Sequence, residues 1–310
     1  MKRKALSWLL ALCLLVGLLP TAALAVEGGT ADEQGTQENP WNISADGEGN
    51  SVSAYVVQNS DGETYTLHFA GNGVIKDYAP AQGSDGSWAY ATTPWGTENS
   101  EYHGRITSVE FDDGSQITKI GVACFYGESL LTNIEIPESI TELGDRAFAA
   151  TGLTSITLPN TVTKCGDNLF HGCKSLISAK IENGDLSAGK NMFLSCTALE
   201  TVTLPEGMTS IPQSFLSGCT KISTINLPSS IAAIGLQAFN NCTSLATITI
   251  PSGTVTIGVE AFQKSGLTEL TISESATVSE RAFKNCASLQ KVTFNANKIP
   301  QSAFEGCNNL

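Results

Sequence analysis

The stretch AFNNCTSLATITIPSG, residues 238–253, decides the fold, because near copies of it recur downstream of about residue 120. The shared unit reads L-x-x-I-x-I-P-x-x-V-x-x-I-G-x-x-A-F-x-x-C-x-x. Nine of the twelve phenylalanines follow one another at intervals of 21 to 24 residues, and they are Phe125, Phe148, Phe170, Phe193, Phe215, Phe239, Phe262, Phe283 and Phe304. A fixed period of this length indicates a repeat architecture.

The opening L-x-x-I-x-I of each unit predicts a short strand with one buried face. In the quoted copy, Ile248 and Ile250 point inward while Thr247 and Thr249 point outward, which is the alternation of a half-buried strand. The strands are predicted to start near Ile106, Leu131, Leu153, Leu176, Leu199, Ile222, Leu245, Leu267 and Leu289. Proline ends most of them, because it cannot donate a hydrogen bond to a ladder.

The remainder of the unit predicts how consecutive strands are connected. A glycine column provides a turn, and the A-F-x-x-C segment is too short for a stable helix, so we expect a single helical or 3₁₀ turn on the convex side. One unit cannot bury its own apolar edge, whereas stacked units can. The prediction is a solenoid over residues 106–310, with about nine short strands paired in parallel.

These repeats resemble the leucine-rich repeats of the BspA type, also called the Treponema pallidum type, found in bacterial surface proteins. The resemblance covers residues 106–310. The preceding phrases GNGVIKDYAP (71–80) and TTPWG (92–96) are similar to the start of BspA-like proteins from gut Firmicutes. The resemblance implies an exported, non-enzymatic interaction protein or adhesin.

Six cysteines occupy one column of the repeat, namely Cys173, Cys196, Cys219, Cys242, Cys286 and Cys307. Thr151 and Ser265 fill the same column, and Cys165 stands in a column of aliphatic residues. Cysteine therefore substitutes for aliphatic residues, as a small buried hydrophobe would, which favours packing as its role. Disulfides stay possible in an exported chain, but a linear column offers no tetrahedral zinc site. We predict no catalytic, metal or cofactor site.

The first residues have the composition of a secretory signal. Three cations precede an apolar run that ends at Pro20 and Ala23-Leu24-Ala25, which predicts a signal peptide over 1–25 with cleavage after Ala25. Residues 26–40 predict a flexible leader and 41–105 a β-rich N-terminal cap, with a hairpin formed by 51–57 and 63–71. The last repeat is uncapped at Leu310, so we expect a truncated product.

The acidic composition of the chain argues against anionic binding partners. The net charge is −13, and residues 26–104 contain 12 acidic residues against Lys76 alone. Nucleic acid and anionic membranes are therefore disfavoured, because both bind clustered Lys and Arg. In the cap, Trp88, Tyr90, Trp95 and Tyr102 permit two interpretations, a plug for the first repeat or a carbohydrate-stacking site.

The outward strand positions form a broad polar face. We predict that its central column binds a protein of a host or neighbouring cell, and its residues are Thr157, Lys180, Thr203, Asn226, Thr249, Thr271 and Thr293. Two alternatives stay open: a passive display scaffold for a missing C-terminal module, and glycan binding by the N-terminal block.

Overall fold

The computed structural model describes residues 34–47, 49–82, 88–253 and 255–310, and it describes no side chain within 81–90. The predicted signal peptide and most of the predicted leader lie outside these residues. Residues Gly35–Leu310 form one compact unit. The boundary between cap and repeats at residue 105 stays a prediction.

The strands, in chain order, are β1 (Trp41–Asn42), β2 (Ser51–Gln58), β3 (Tyr65–Val74), β4 (Pro80–Gln82), β5 (Trp88–Ala91), β6 (Ile106–Phe111), β7 (Gln116–Ile120), β8 (Asn133–Ile134), β9 (Glu142–Leu143), β10 (Ser155–Leu158), β11 (Lys164–Cys165), β12 (Ser178–Ile181), β13 (Thr201–Thr203), β14 (Ser210–Ile211), β15 (Thr224–Ile225), β16 (Ala233–Ile234), β17 (Thr247–Ile248), β18 (Thr256–Ile257), β19 (Glu269–Ile272), β20 (Thr277–Val278) and β21 (Lys291–Phe294).

The predicted ladder is present, and we call it the first ladder. Its nine strands, one per repeat, are β6, β8, β10, β12, β13, β15, β17, β19 and β21. Wherever neighbouring members are paired, they pair in parallel. Most strands begin two residues after the predicted leucine. The solenoid of parallel strands is therefore confirmed.

A second ladder runs along another edge of the same core, and the sequence analysis did not predict it. It consists of β7, β9 and β11, and then of β14, β16, β18 and β20, again paired in parallel. Its strands are mostly two residues long, and all but the last end on a buried apolar side chain such as Ile120, Leu143 or Ile234; β20 ends on the half-buried Val278. Two residues are too few to show the alternation by which a strand is recognised in sequence.

The predicted helical or 3₁₀ turns are wrong in detail, since the described A-F-x-x-C segments are turns and contain no helix. The reason is the backbone conformation on either side of the phenylalanine. Arg146 and Ala150, two residues before and after Phe148, have φ angles of 54° and 57°, which lie in the left-handed region and interrupt a right-handed helix. Instead, each turn bonds to the next repeat: the Phe148 amide donates to the Leu169 carbonyl at 3.1 Å.

The phenylalanine column contains one exception, which corrects the predicted register. The Leu216 amide donates to the Ala238 carbonyl, just as the Phe239 amide donates to the Ala261 carbonyl. Leu216 therefore occupies the column and Phe215 lies one position earlier, where five of the other repeats have alanine. Accordingly, Phe193 and Phe215 meet edge to face at 87°, whereas most neighbouring rings in the column stack. This explains the irregular spacings around residue 215.

The segment predicted to be the N-terminal cap contains β1 and then the predicted hairpin, which is confirmed as β2 paired antiparallel with β3. β3 is ten residues long and serves both ladders. Its first half pairs in parallel with β6, and its last three residues pair in parallel with β7. The hairpin thus covers the open strand edges at the start of the array, where exposed backbone groups would otherwise invite association.

The chain after β3 makes the same backbone contacts to the first repeat as one repeat makes to the next. The Tyr78 amide donates to the Val122 carbonyl, and Asp77 Oδ1 accepts from the Val122 amide at 2.9 Å. Asp145 makes the equivalent bond to the amide of Asp167 in the repeats. Inside the core, the Phe69 ring lies 5.8 Å from Phe125 and so covers the first ring of the column.

Candidate interaction face

All seven residues of the predicted column are exposed and lie on the first ladder or at the residue directly following one of its strands. Register brings them into line where strands are paired. Thr157 lies opposite Lys180, Lys180 opposite Thr203, and Thr271 opposite Thr293. Strand geometry turns each of these side chains away from the core. The structure therefore assembles the predicted column on one face, which we call the ladder face.

The ladder face is not one continuous sheet. β10, β12 and β13 form one group, β15 and β17 a second, and β19 and β21 a third. Asn226 and Thr249, which directly follow β15 and β17, therefore lie in a separate group from their neighbours in the column. Each repeat thus places one exposed residue in the column, but the strands that bear these residues are paired only within three separate groups.

The column extends into the cap, which the sequence analysis missed. Tyr55 lies opposite His68, and His68 lies opposite Glu110. The Tyr55 and His68 rings stack at 4.8 Å, and the Tyr55 hydroxyl donates to Asp112 Oδ2 at 2.9 Å. Burial and this carboxylate raise the pKa of Tyr55 to about 12. Only knowledge of how β3 pairs with β6 could have revealed this extension.

Apart from the contacts of His68 with Glu110 and Asp112 at the cap end, ion pairs on the ladder face are few and exposed. Lys180 Nζ lies 2.6 Å from Glu182 Oε1, and Lys221 Nζ lies 4.0 Å from Glu200 Oε1. Exposed pairs of this kind contribute about 0–1 kcal/mol to stability. The side chains of the face are therefore not fixed by strong electrostatic partners, and they can reorient towards a ligand at small cost.

Ile248, an inward residue of β17, is more exposed than its equivalents in the two flanking repeats. The inward positions equivalent to Ile248 in the flanking repeats, Ile225 and Leu270, are 5% and 4% exposed, whereas Ile248 is only half-buried. Ile248 lies beside a groove of about 360 Å³ between β17 and β19. The groove is lined in part by Thr249 and Thr271 of the predicted column.

The cysteines lie away from the ladder face, inside the wall formed by the turns, except for Cys165, which ends β11 of the second ladder. The eight described cysteines are free and buried. In the column, each thiol donates to a backbone carbonyl of the preceding repeat: Cys173 to Phe148, Cys196 to Phe170 and Cys219 to Phe193, at 3.0–3.1 Å. The thiols thus satisfy backbone acceptors in addition to filling space.

Glu128 takes the cysteine position of the first repeat, three residues after Phe125. It is 2% exposed, its Oε2 atom has no hydrogen-bond partner, and burial raises its pKa to about 8. A buried carboxyl group of this kind is neutral at moderate pH. It lies beneath the cap, beside Gly96.

The structure bears on whether the aromatic residues of the cap plug the first repeat or form a carbohydrate-stacking site. Trp95 is fully buried, and its ring contacts those of Trp41, Phe69 and Tyr78. It therefore plugs the core and is inaccessible to a sugar. Tyr102 packs edge to face on Tyr65. The side chains of Trp88 and Tyr90 lie outside the described residues.

The described part of the chain contains no group of three or more His, Cys, Asp or Glu side chains placed to hold a metal ion. No helix within these residues is long and apolar enough to cross a membrane.

Comparison with known proteins supports the repeat assignment. The profile of the BspA type leucine rich repeat region matches six copies, over residues 98–222 and 186–310. A search of curated proteins finds no match.

Solved structures with related folds include three bacterial leucine-rich repeat proteins. One from Bacteroides ovatus is 30% identical, with a TM-score of 0.53, over 67% of this chain and 49% of its own. One from T. pallidum is 20% identical (TM-score 0.42), over 61% and 86% of the two chains. A leucine rich cell surface protein from Faecalibacterium prausnitzii is 15% identical (TM-score 0.33), over 83% and 96%. The present chain thus spans about half the length of the Bacteroides ovatus protein.

Proposed function

The chain belongs to the family built from BspA-type leucine-rich repeats, and from that premise we propose that it is an exported protein that binds a protein partner through its ladder face. The partner is a surface protein of a host or neighbouring cell. The contact residues are the seven of the central column, extended at the cap end by His68 and Glu110.

The observation that carries this proposal is the alignment of exposed polar side chains, one per repeat, along parallel strands. Such an extended surface is what solenoid proteins use for binding. The polar side chains can exchange water for hydrogen bonds with a partner without the cost of breaking strong ion pairs. The acidic character of the chain disfavours nucleic acid as that partner.

Export is part of the same proposal and rests on residues 1–25. A secreted or cell-surface location follows from a signal peptide cleaved after Ala25. Expression of the full chain in a bacterial host, followed by N-terminal sequencing of the exported product, tests it. A mature chain that begins at Val26 supports export, and an intact N-terminus with cytoplasmic retention refutes it.

Binding is tested with two variants that carry the same change in charge. The first replaces Thr203, Asn226 and Thr249 on the ladder face by lysine. The second replaces Ser210, Thr256 and Thr277, exposed residues of the second ladder, by lysine. Both, with the parent chain, are applied to an array of purified extracellular proteins.

The ladder-face variant should lose at least ten-fold in affinity for whichever array protein binds the parent. The second-ladder variant should bind within two-fold of the parent. If both variants lose affinity equally, or neither loses affinity, the binding surface does not lie on the ladder face. Absence of any binder would instead favour the display-scaffold alternative.

A further inference from the structure

The segment between β5 and β6 crosses the N-terminal end of the core, and we call its residues 93–104 the strap. It consists of turns and contains no strand. Its described backbone hydrogen bonds connect residues three apart, as from the Gly96 amide to the Thr93 carbonyl. These bonds fix the shape of the strap, whereas its attachment to the core depends on side chains.

Trp95 is the side chain by which the strap enters the core. It is fully buried, and its ring lies 5.7 Å from that of Phe69 and 6.0 Å from that of Tyr78. Because a large aromatic side chain contributes strongly to a core when it is buried, Trp95 keeps the strap closed unless a group beneath it opposes burial.

Glu128 is the group beneath the strap. A Cβ atom built on Gly96 would lie 3.0 Å from Glu128 Oε1, so the carboxyl group packs against the strap backbone. The equivalent position of every other repeat holds cysteine, threonine or serine. The first repeat therefore carries a carboxyl group where the others carry a small, neutral side chain.

A charge on Glu128 would have no hydrogen-bond support in this position. The side chain is 2% exposed, and its Oε2 atom has no partner. The buried Tyr78 hydroxyl group and Trp95 indole nitrogen also lack partners, so neither donates to the carboxyl group. From the second repeat, the Gly152 amide donates to the backbone carbonyl of Glu128 and leaves the carboxyl group unbonded.

The titratable groups around Glu128 do not stabilise its charged form. Cys124 lies in the same turn and Tyr78 in the cap, and burial raises the pKa of both, so they are neutral at moderate pH. On the strap, His103 Nδ1 donates to the Gly96 carbonyl at 2.8 Å, a bond that the neutral and the protonated ring both make. Burial alone raises the pKa of Glu128 to about 8.

From these contacts we infer that the strap is a lid gated by one proton: it stays closed over the first repeat while the Glu128 carboxyl group is protonated, and it lifts Trp95 out of the core when that group ionises. An ionised carboxylate needs water or an opposite charge. Lifting the strap is the movement that admits water without breaking hydrogen bonds between repeats. Opening also uncovers Phe69, the cap residue that covers the first ring of the phenylalanine column.

The direction of the pH dependence follows from the raised pKa of Glu128. In the open form the carboxyl group is solvated, with a pKa of about 4.3, whereas in the closed form its pKa is about 8. Stabilisation of the closed strap is therefore complete below about pH 4.3 and is lost as pH rises to about 8. This lid does not depend on the proposed function.

Hydrogen exchange of the purified full chain at pH 6, 7 and 8, read by mass spectrometry, tests the inference. The Gly96 and His103 amides report on the strap, and the Phe125 amide, which donates to the Ala147 carbonyl, reports on the first repeat. Protection is expressed relative to the chemical exchange rate at each pH. Two variants accompany the parent: Glu128→Gln preserves the shape of the side chain, and Glu128→Cys introduces the residue most common at this position of the other repeats.

In the parent, protection of the strap amides should fall at least ten-fold between pH 6 and pH 8. At each pH it should be at least ten-fold below that of Phe125, because the strap opens while the first repeat stays folded. In both variants, strap protection should change by less than two-fold over the same range.

Three results would each overturn the inference. The first is strap protection in the parent that does not change with pH. The second is a pH dependence that persists in both variants, which would assign it to a group other than Glu128. The third is equal protection of the strap and of Phe125, which would mean that the strap opens only when the first repeat unfolds.

Discussion

The sulfur atom of Cys242 lies 3.2 Å from the backbone carbonyl oxygen of Leu216 in the preceding repeat. The carbonyl that accepts from Cys219 belongs to Phe193, and the one that accepts from Cys286 belongs to Phe262. Leu216 therefore replaces phenylalanine in the column without disturbing the thiol contact. The bond depends on the backbone of the turn and not on the ring.

Removing this thiol should destabilise the protein moderately. We expect Cys242→Ala to lower the free energy of unfolding by about 1–2 kcal/mol, through loss of the hydrogen bond and of packed volume. Cys242→Ser should cost less than Cys242→Ala, because Ser265 already fills this column and its hydroxyl contacts Cys286. Urea unfolding of both variants measures the difference, and an alanine variant as stable as the parent would contradict the role of the bond.

The eight buried thiols should be unreactive in the folded protein. Burial raises the pKa of Cys165 and of Cys219 to about 12, so their thiolates, the form that reacts with disulfide reagents, are scarce at neutral pH. For Cys173, burial raises the pKa but hydrogen bonds with Cys196 and Thr151 outweigh it and lower the pKa; this thiol is protected because it is fully buried. Titration with a chromogenic disulfide reagent should detect none of the eight before denaturation and all of them afterwards. Rapid reaction of one of them in the native state would show that the wall of turns opens locally.

A truncation in the phenylalanine column should be costly. Phe239 is fully buried and stacks on Phe262 at 5.0 Å, so we expect Phe239→Ala to cost about 3–5 kcal/mol. Val57→Ala serves as the control, since Val57 is 43% exposed and its loss should change stability by less than about 0.5 kcal/mol. Equal denaturation midpoints for the two variants would argue against one continuous core.

Glu128 should make stability depend on pH. Its pKa of about 8 in the folded state exceeds the value of about 4.3 for an unfolded chain. The folded protein therefore keeps a proton that the unfolded chain loses, so this contribution is complete below pH 4.3 and is lost as pH rises to about 8. Glu128→Gln removes the titration.

The check is the difference in unfolding free energy between parent and Glu128→Gln, measured in urea at pH 5, 6, 7 and 8. The parent should lose stability relative to the variant at each step upward. A difference that does not change with pH would mean that the carboxyl group is hydrated in the folded protein.

The bond from Asp77 to the Val122 amide should hold the cap to the first repeat. Asp77→Ala removes the acceptor and should cost about 1 kcal/mol, while Asp77→Asn keeps a carbonyl oxygen there and should cost less. Hydrogen exchange at Val122 measures the effect directly. Unchanged protection of the Val122 amide in the alanine variant would show that the hydrogen bond from the Tyr78 amide to the Val122 carbonyl is sufficient to hold the cap.

The first ladder, its exposed column and the buried cysteines could be predicted from the sequence because each repeats in register over many units. The second ladder could not, because its two-residue strands are too short to show a period. The prediction that Phe215 belongs to the phenylalanine column was wrong, because it aligned the repeats by their aromatic residues. The hydrogen bond from the Leu216 amide to the Ala238 carbonyl shows that Leu216 occupies the column instead. The cap extension of the face depends on pairing between β3 and β6, which no local pattern reveals.

The left-handed residues of the turns were missed for a related reason. Arg146, Glu260 and Arg281 have positive φ angles, although residues with side chains seldom adopt them. Their conformation is stabilised by bonds to the following repeat, as between the Arg146 amide and the Asp167 carbonyl. The local sequence of these segments therefore favours a helical turn, and the left-handed conformation is stabilised only by hydrogen bonds to the neighbouring repeat.

The turn bonds connect each repeat to its neighbours along the array, and the two ladders add further bonds where their strands are paired, so a pulling force applied to the two ends of the chain would break these bonds one repeat at a time. Each rupture would release a segment of about 22 residues, which extends by roughly 75 Å when stretched. Such a protein would lengthen in even steps under shear and shorten again when the load is removed.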